Sequence, residues 1–350
     1  MPGETHNVVL IVPDGVRWQE VFTGAAEELL NRATGGSWLS EYELRQRYWR
    51  DDPVERRTLL LPFLWNTIAA EGQIFGNQAL GSRAHVTNAY YSSYPCYNEM
   101  LTGYGDPRID GNDYGPNPNT TVFEWLNAAQ DLRGRVAVHA TWGAFHDIFN
   151  VPRSGLPVQA GVNPPKKAGA GQRLTPRDEL LNELYLTTTH LADDDPYNSL
   201  LHVAVRDYIQ AEQPRVLFVG YGETDYWAHQ GRYDLLLRAI RQFDGFVADL
   251  WQTMQAMPQY RGRTTFIVTT DHGRGSGPLE WRHHGVEQQG SEDIWIAALG
   301  PDTPALGERS DVATVTQSQI AATVAALLGR DFAAAVPTAA PPLADLLGPA

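Results

Sequence analysis

The sequence predicts an α/β fold with a large, mostly parallel central β-sheet and helices on both of its faces. Three observations lead to this prediction. Short continuous apolar runs rich in β-branched residues recur along the 350-residue chain, which is typical of strands buried on both faces. Segments with apolar residues at i, i+3 and i+4 lie between these runs and indicate helices. Strands that alternate with helices favour a parallel sheet covered on both sides.

The predicted strands are short and have clear boundaries. The first is VVLIV, which ends where Pro, Asp and Gly interrupt the apolar run. The full set of predicted strands comprises residues 8–12, 136–140, 216–221, 264–270 and 294–299. The predicted helices comprise residues 123–132, 176–186, 200–211, 233–257 and 317–328. In a sheet of this kind, functional side chains gather just beyond the C-terminal ends of the strands.

Two segments do not follow the alternation of strands and helices. Residues 150–172 are rich in Gly, Pro and Lys, which is typical of an exposed loop, and we expect a cap or lid insertion over residues 145–198. From residue 333 the chain is rich in Ala and Pro, which predicts a loosely held tail. The expected organisation is therefore a single α/β domain over residues 1–332, followed by a tail over residues 333–350.

The charge balance and the cysteine count exclude several classes of protein. With 27 Lys+Arg against 41 Asp+Glu, the formal net charge is −14, which argues against extended nucleic acid or an anionic membrane surface as a partner. One cysteine excludes a disulfide framework and a multi-cysteine metal site. No apolar stretch reaches the ~18 to 20 residues that a membrane-spanning helix needs. The sequence predicts no particular oligomeric state.

The first residues, MPGETHN, show neither the positively charged nor the apolar region of a signal peptide. The chain as written is therefore expected in the cytoplasm. A leader removed from the natural protein would instead indicate the periplasm or secretion, so the compartment is left open.

Asp and His side chains stand at four predicted strand ends. The residues concerned are Asp14, Asp225 with His229, Asp271 with His272, and His283 with His284. Taken singly, each has a simpler explanation, because Asp before Gly suits a turn, an Asp–His pair at i, i+4 suits a helix surface, and an isolated His is usually a core residue. Their convergence on one edge of the sheet predicts a site for two divalent cations, since carboxylates and imidazoles are the ligands of such ions.

A nucleophile is predicted in the segment SSYPCYNEMLTG. This segment begins with polar residues and a Pro and then turns helical. A hydroxyl at the entrance of a helix points into the positive end of the helix dipole, which stabilises an alkoxide. Ser93 is therefore the candidate nucleophile. The alternative is that Ser92 or Ser93 only caps the helix.

Five segments, in their order along the chain, resemble the motifs of the alkaline phosphatase superfamily and, within it, of the nucleotide pyrophosphatase/phosphodiesterase-like branch, the type I phosphodiesterases. VVLIVPDG resembles the opening strand with its metal-binding Asp, and SYPCYNEMLTG resembles the nucleophile motif. ETDYWAH is similar to the D-x-x-x-H pair. TTDHG and RHHGVEQQGSEDIWIAALGP are similar to the D-H-G and H-G motifs. The resemblance covers most of the chain and implies an alkaline phosphatase-like fold.

The resemblance also implies two divalent metal ions, most often Zn²⁺, with Mn²⁺ as the alternative. One ion would be bound by Asp225, His229 and His284. The other would be bound by Asp14, Asp271, His272 and the oxygen of the nucleophile Ser93. His284 is preferred to His283 because it directly precedes Gly.

A donor to the phosphate oxygens is implied as well. Asn112 lies near the place where diesterase members have an Asn that donates to a non-bridging oxygen, and the alternative is an ordinary turn residue. Asn98, one helical turn beyond Ser93, is a second candidate donor. Sulfatases of the superfamily carry Arg where this chain has Tyr97, so a sulfatase is disfavoured.

The function implied by the resemblance is the metal-dependent hydrolysis of phosphate esters through two metals and a covalent phosphoserine. A phosphodiester or nucleotide-like substrate is slightly preferred, and the expected partner is a small anionic phosphate ester. The alternatives are a phosphomonoesterase or phosphonate hydrolase on the same scaffold, and a catalytically silent, metal-dependent anion-binding module. Ser93 distinguishes the last alternative, since a binding module does not need a nucleophile.

Overall fold

The computed structural model of the chain describes residues 3–166, 173–192 and 195–348. Residues 167–172 of the predicted loop, residues 193–194 of the predicted insertion and the last two residues of the predicted tail lie outside these ranges. The described residues form a mixed α/β fold around an eight-stranded, mostly parallel sheet, which confirms the predicted fold class.

The described strands form a large sheet and a small one. The strands are β1 (Asn7–Pro13), β2 (Gln73–Phe75), β3 (Ala84–His85), β4 (Val136–Ala140), β5 (Val158–Ala160), β6 (Val216–Tyr221), β7 (Thr264–Thr269), β8 (Asp293–Ile294), β9 (Ile296–Leu299), β10 (Gly307–Glu308) and β11 (Val315–Thr316). The large sheet has the strand order β10-β2-β9-β7-β1-β6-β4-β5, and the small sheet has the order β11-β3-β8.

Helices connect these strands and cover the large sheet. They are α1 (Trp18–Thr23), α2 (Arg32–Gly35), α3 (Glu41–Tyr48), α4 (Pro53–Leu60), α5 (Ala69–Glu71), α6 (Ser93–Thr102), α7 (Val122–Ala128), α8 (Phe145–Ile148), α9 (Val151–Ser154), α10 (Pro176–Thr187), α11 (Asn198–Glu212), α12 (Glu223–His229), α13 (Tyr233–Ala256), α14 (Gln319–Leu327) and α15 (Phe332–Ala335). No helix of the described ranges combines the length and the apolar character that crossing a membrane requires.

Strand β1 shows how the sheet separates two apolar layers. Val8, Leu10 and Val12 pack on one face, in a cluster that includes side chains of α6, α7 and α14. Val9 and Ile11 pack on the other face, in a cluster that includes α11 and α13. Successive side chains of a strand point to opposite faces, so a strand covered on both sides must be apolar at every position. This explains why VVLIV is a continuous apolar run.

The topology brings distant segments to one edge of the sheet. Strand β1 lies between β6 and β7 and is parallel to both, with Pro13 opposite Tyr221 and Ile11 opposite Val268. All three strands therefore end at the same edge. Strand β9 is antiparallel to β7, with Ile296 opposite Thr269, so it begins at this edge. The chain that leads into β9 consequently reaches the place where the other three strands end.

Most predicted elements are confirmed with shifts of one or two residues at their ends. The predicted strand at 294–299 is instead two short strands, β8 and β9, which belong to different sheets. Trp295 separates them, because its buried indole donates a hydrogen bond to the Val16 carbonyl. The predicted helix at 123–132 ends earlier, at Ala128, where the chain turns back and the Asn127 side chain accepts the Gly134 N–H.

Two regions outside the regular alternation are more ordered than their composition indicates. Within the predicted insertion, β5 pairs in parallel with β4 and forms the edge of the large sheet. The predicted tail is not loosely held over its described residues, because Leu343 and Leu346 are buried in the same cluster as α6. The Leu343 N–H also donates to Thr323 Oγ1. The two leucines near the end of the chain are therefore part of the apolar core next to α14.

Candidate metal centre

Asp14, Asp271 and His272 form a compact group of buried potential ligands at the edge where β1 and β7 end. The Nε2 atom of His272 lies 3.5 Å from Asp14 Oδ1 and 3.4 Å from Asp271 Oδ2. The other oxygen of Asp271 accepts a hydrogen bond of 2.9 Å from the Gly15 N–H. The turn after β1 is thereby fixed against the end of β7, and one oxygen of each carboxylate is directed at the imidazole.

Asp225, His272 and His284 form a second compact group that shares His272 with the first. Asp225 Oδ1 lies 3.7 Å from His284 Nε2, and the rings of His272 and His284 stack with their centroids 3.8 Å apart. His229, one helical turn after Asp225 on α12, places its Nε2 atom 3.3 Å from the same Oδ1 atom. The two groups are therefore adjacent, with His272 between them.

The two central histidines are oriented by backbone carbonyls. His272 Nδ1 lies 3.0 Å from the Gly273 oxygen, and His284 Nδ1 lies 2.9 Å from the Tyr91 oxygen. A carbonyl can only accept, so each Nδ1 donates and each neutral ring keeps an unprotonated Nε2 that faces the carboxylates. His283 is exposed and belongs to neither compact group.

Burial controls the ionisation of these side chains. Burial, with the neighbouring Asp271 charge, raises the pKa of Asp14 to about 7, and burial raises the pKa of Asp271 to about 7. Burial also lowers the pKa values of His272 and His284, which favours neutral rings. Neutral imidazoles are the form that binds a metal ion, while the carboxylates need a nearby cation to be ionised at neutral pH.

Two buried carboxylate oxygen atoms without hydrogen-bond partners in the described part of the chain indicate whether this site suits a cation. Asp14 Oδ1 and Asp271 Oδ2 are buried and have no hydrogen-bond partner among the described residues. Unpaired buried carboxylate oxygens cost free energy unless a cation compensates them. Both atoms lie next to an unprotonated imidazole nitrogen, so the donor set of oxygen and nitrogen atoms fits a divalent metal.

Ser93 begins α6 and faces the first ligand group. Its Oγ atom lies 3.4 Å from His272 Nε2, and the residue is buried. The side chain of Ser92, at the N-cap position, makes no capping hydrogen bond. The hydroxyl of Ser93 therefore lies at the positive end of the helix and beside the potential ligands.

The two candidate asparagine donors have different surroundings. Asn112 Oδ1 accepts the Tyr94 N–H at 3.0 Å, which places the Asn112 side chain against the first turn of α6, beside Ser93. The amide of Asn98 instead donates to the Tyr104 carbonyl, and its oxygen accepts from Asn119. Asn98 is fully buried and engaged away from Ser93, which removes it as a second donor.

Arg274, which no sequence motif pointed to, connects several segments that carry potential ligands. The residue is almost fully buried, and its guanidinium contacts the carboxylate of Asp225. The same guanidinium donates to the Gly15 carbonyl at 3.0 Å and to the Arg282 carbonyl at 3.1 Å. Its position two residues after His272, in TTDHGRG, is the only sequence signal of this role.

Glu99 on α6 was also missed, because a Glu within a helix is usually exposed. It is fully buried, and its carboxylate accepts hydrogen bonds from the backbone N–H groups of Thr87 and Asn88. Asn88 Oδ1 in turn accepts the N–H groups of Tyr90 and Tyr91. Glu99 thus anchors the segment that precedes Ser93 and carries the Tyr91 carbonyl that orients His284.

Solved structures share this fold at low sequence identity. The alkaline phosphatase PafA matches with a TM-score of 0.59 and 11% identity over 99% of each chain. The lipoteichoic acid synthase LtaP from Listeria monocytogenes matches with a TM-score of 0.56 and 9% identity, over 94% of this chain and 73% of that one. The 2-O GAG sulfatase BT1596 matches with a TM-score of 0.56 and 13% identity, over 98% of this chain and 74% of that one. These matches show that the chain shares its fold with an alkaline phosphatase, a lipoteichoic acid synthase and a sulfatase.

A comparison of the sequence with family models identifies the family to which the chain belongs. Residues 43–294 match the family described as type I phosphodiesterase / nucleotide pyrophosphatase. The chain belongs to this family, as the motif order indicates. No curated protein sequence matches the chain.

Proposed function

We propose that the protein hydrolyses phosphate esters, with a phosphodiester or nucleotide-like substrate preferred, through two divalent metal ions and a covalent phosphoserine at Ser93. The proposal is narrower than the class of hydrolase to which the chain belongs, since that class contains phosphatases, phosphodiesterases and sulfatases. The observation that carries it is the position of Ser93 Oγ, 3.4 Å from the His272 Nε2 atom that both candidate ligand groups share.

The proposed metal ligands follow from the two groups. Asp14, Asp271, His272 and Ser93 Oγ would hold one ion, and Asp225, His229 and His284 would hold the other. Zn²⁺ is the proposed metal because the donor set combines imidazole nitrogen and carboxylate oxygen, and Mn²⁺ is the alternative. Two such ions, when bound, polarise the phosphoryl group and stabilise the charge on the attacking and leaving oxygens.

Ser93 carries the covalent step. Its hydroxyl gives up its proton, and Oγ forms a bond to phosphorus while the bond from phosphorus to one ester oxygen breaks. The departing alcohol takes up a proton. A water molecule then hydrolyses the phosphoserine, which releases a phosphate monoester and returns Ser93 to its starting form. The buried position at the start of α6 favours the oxyanion, because the helix dipole is positive there.

Asn112 supports the preference for a diester. Its Oδ1 atom is occupied by the Tyr94 N–H, so its orientation on the first turn of α6 is fixed and its amide N–H groups are available to a substrate oxygen. A neutral amide donor suits a non-bridging oxygen of a diester, which carries a single negative charge. Tyr97 stands where sulfatases of the superfamily have Arg, and its hydroxyl instead contacts Asp14 Oδ2 at 3.3 Å.

The central experiment compares Ser93→Ala with its neighbour Ser92→Ala. Both variants are assayed on nitrophenyl phosphate monoester, phosphodiester, phosphonate and sulfate substrates. We expect Ser93→Ala to lose about 10³-fold or more of kcat on the preferred substrate. The assay is run at saturating metal, because the substitution also removes one proposed ligand. Ser92→Ala should lose little, since its side chain makes no capping bond. Acid-quenched wild type should carry the phosphoryl group of the substrate, with its remaining ester group in the case of a diester, on the peptide that contains Ser93. Full turnover by Ser93→Ala would overturn the covalent mechanism.

Metal analysis provides the second test. Two equivalents of zinc in the purified protein, a diester preference and loss of metal in Asp225→Asn would support the proposal. A monoester or phosphonate preference would favour the corresponding alternative on the same scaffold. Metal binding with no turnover of any substrate would favour the anion-binding module.

For the chain as a whole we propose one catalytic domain over residues 1–332 with a cap over about residues 145–198 and a tail over residues 333–350. Strand β5 supports the unity of this domain, since it joins the predicted cap to the edge of the large sheet. The proposed partner is a small anionic phosphate ester rather than extended nucleic acid, in keeping with the net charge of −14.

A further inference from the structure

Tyr97, on the second turn of α6, contacts the first ligand group from the side of the nucleophile. Its side chain is almost fully buried, and its hydroxyl oxygen lies 3.3 Å from Asp14 Oδ2. Tyr97 follows Ser93 by four residues, so the two side chains lie on the same face of the helix. Ser93 Oγ in turn lies 3.4 Å from His272 Nε2. One face of α6 therefore meets the first ligand group at two points.

The ring of Tyr97 lies in surroundings that would equally suit phenylalanine. Its centroid lies 4.7 Å from that of Phe145 and 6.0 Å from that of Phe218, and both contacts are edge-to-face. Further phenylalanine side chains belong to the same buried cluster. A hydroxyl in apolar surroundings costs free energy unless it is hydrogen-bonded. The hydroxyl of Tyr97 therefore contributes a polar contact with Asp14 rather than packing.

The two side-chain oxygens of Asp14 have different neighbours. Oδ1 is buried, lies 3.5 Å from His272 Nε2 and has no hydrogen-bond partner among the described residues. Oδ2 faces the Tyr97 hydroxyl. A carboxylate that binds a metal ion is ionised and can only accept a hydrogen bond, so the phenol donates to Oδ2. Oδ1 is thereby left for the ion, and the carboxylate is held against rotation.

We propose that Tyr97 is a positioning residue for the metal ion that the first ligand group would bind. Its hydroxyl fixes Asp14 so that Oδ1 faces the ion, and its place on α6 ties this carboxylate to the helix that begins with Ser93. The inference rests on the proposed function, because it concerns the ion that would also hold the Ser93 oxygen. Loss of a hydrogen bond to a ligating side chain typically lowers metal affinity or activity about 10–100-fold.

The test removes the hydroxyl alone. Tyr97→Phe keeps the ring and its packing, and an Asp225→Asn background removes the carboxylate of the second ligand group, so that zinc binding reports the first group. Zinc is titrated into the metal-free protein in competition with a chromogenic chelator. We expect Tyr97→Phe to raise the zinc dissociation constant about tenfold relative to Asp225→Asn alone. Without the Asp225 substitution, the zinc concentration that gives half-maximal turnover should rise by a similar factor.

Tyr94→Phe is the matched control. Tyr94 is on the same helix, is fully buried and donates its hydroxyl hydrogen to the Gly115 carbonyl at 2.5 Å. Each substitution removes one hydrogen bond of a buried tyrosine, so each should lower the thermal unfolding midpoint of the metal-free protein by a similar amount, no more than about 4 °C. Tyr94→Phe should leave the zinc dissociation constant within about twofold of its background.

Two results would overturn the inference. One is a zinc dissociation constant in Tyr97→Phe within about twofold of its background. The other is equal weakening in both phenylalanine variants, since a general loosening of α6 would then explain the effect. Thermal unfolding with zinc supplies independent support if the ion raises the midpoint less in Tyr97→Phe than in Tyr94→Phe, because an ion that binds more weakly stabilises less.

Metal binding separates this inference from the proposed function. If the wild type binds zinc but hydrolyses no phosphate ester, the proposed function fails, and the dissociation constants still test the role of Tyr97. If Tyr97→Phe binds zinc as tightly as its background while the wild type forms the phosphoserine, the proposed function stands and the positioning role is rejected.

Discussion

His272 joins the two ligand groups, and its neighbours Asp14 and Asp271 decide how the site responds to pH. Both carboxyl pKa values are raised because burial disfavours the charged form. A bound cation reverses this effect, since it favours the carboxylate. We therefore expect metal binding to lower the pKa values of both carboxyl groups.

The metal-free protein should become less stable as pH rises between the ordinary Asp value of 3.8 and about 7. In this window the folded state holds protons at Asp14 and Asp271 that the unfolded state has released, so the free energy of unfolding falls as pH increases. Thermal unfolding of EDTA-treated wild type and Asp271→Asn, followed across this range, measures the effect. The substitution should make the dependence shallower and zinc should oppose it, whereas parallel curves would contradict the pKa assignment.

Arg274→Gln should destabilise the metal-free protein more than the metal-loaded protein. Without metal, the guanidinium is the cation that compensates Asp225, and its loss leaves a partly buried carboxylate with a cost of about 1–3 kcal/mol. With metal bound, Asp225 keeps a cationic partner. Urea unfolding with and without EDTA measures the difference. Arg57→Gln, which removes the pairing with Glu308 away from the site, should show equal losses in both conditions, and equal losses in Arg274→Gln would exclude this role.

At the scale of elements, α6 does more than present Ser93. Glu99 on its second turn accepts hydrogen bonds from the N–H groups of residues 87–88. The turn after these residues places Tyr91 at a φ of 48°, a left-handed conformation that is strained for a non-glycine residue. The Tyr91 carbonyl then orients His284. Ser93 and the His284 imidazole are thus positioned by one helix and the segment that enters it.

Glu99→Gln should lower both stability and turnover. The Gln amide has one acceptor oxygen in place of two, so buried N–H groups of Thr87 and Asn88 lose partners at a cost of about 1–3 kcal/mol. Displacement of the Tyr91 carbonyl would also misalign His284. Chemical denaturation gives the first effect, and kcat at saturating metal gives the second. Glu183→Gln on the exposed side of α10 is the control, and a Glu99 variant that loses stability but keeps full kcat would separate the two roles.

The sequence predicts the strands that are buried on both faces of the sheet. Strands β1, β4, β6 and β7 are buried at every position, so their apolar runs are visible without any alignment. The region between α1 and β3 was not predicted, because its helices are short and its strands have only two or three residues. The break at Trp295 depends on a hydrogen bond to Val16, a contact between distant segments that no local pattern encodes.

At the scale of the whole molecule, the end of the chain is part of the core. Leu346 is fully buried, so Leu346→Ala should reduce the free energy of unfolding by about 2–5 kcal/mol. Leu306→Ala is the control, since Leu306 is 52% exposed and its truncation should change stability by no more than about 0.5 kcal/mol. Denaturant unfolding measures both, and equal small effects would show that the terminal segment is dispensable.

The part of the candidate site that could be predicted from the sequence is the set of Asp and His residues at strand ends. The motif order indicates which Asp and His residues come together, since three parallel strands must share an edge. The sequence did not show that His272 lies between both groups or that Arg274 bonds to three segments, because these depend on side-chain packing across the sheet. Asn98 illustrates the opposite error. Its spacing from Ser93 favoured a position facing the pocket, but its side-chain oxygen accepts a hydrogen bond from Asn119 instead.

The place of β1 between β6 and β7 has a consequence for biosynthesis. Gly15 and its hydrogen-bond partner Asp271 are 256 residues apart, so the first strand leaves the ribosome long before either neighbour exists. At roughly 5–20 residues per second, the interval is on the order of 10–50 seconds. For most of this interval, until β6 is synthesised, the apolar VVLIV segment lacks both neighbouring strands. The central strands of the nascent chain therefore pair late, and the topology leaves an apolar strand unpaired during most of its synthesis.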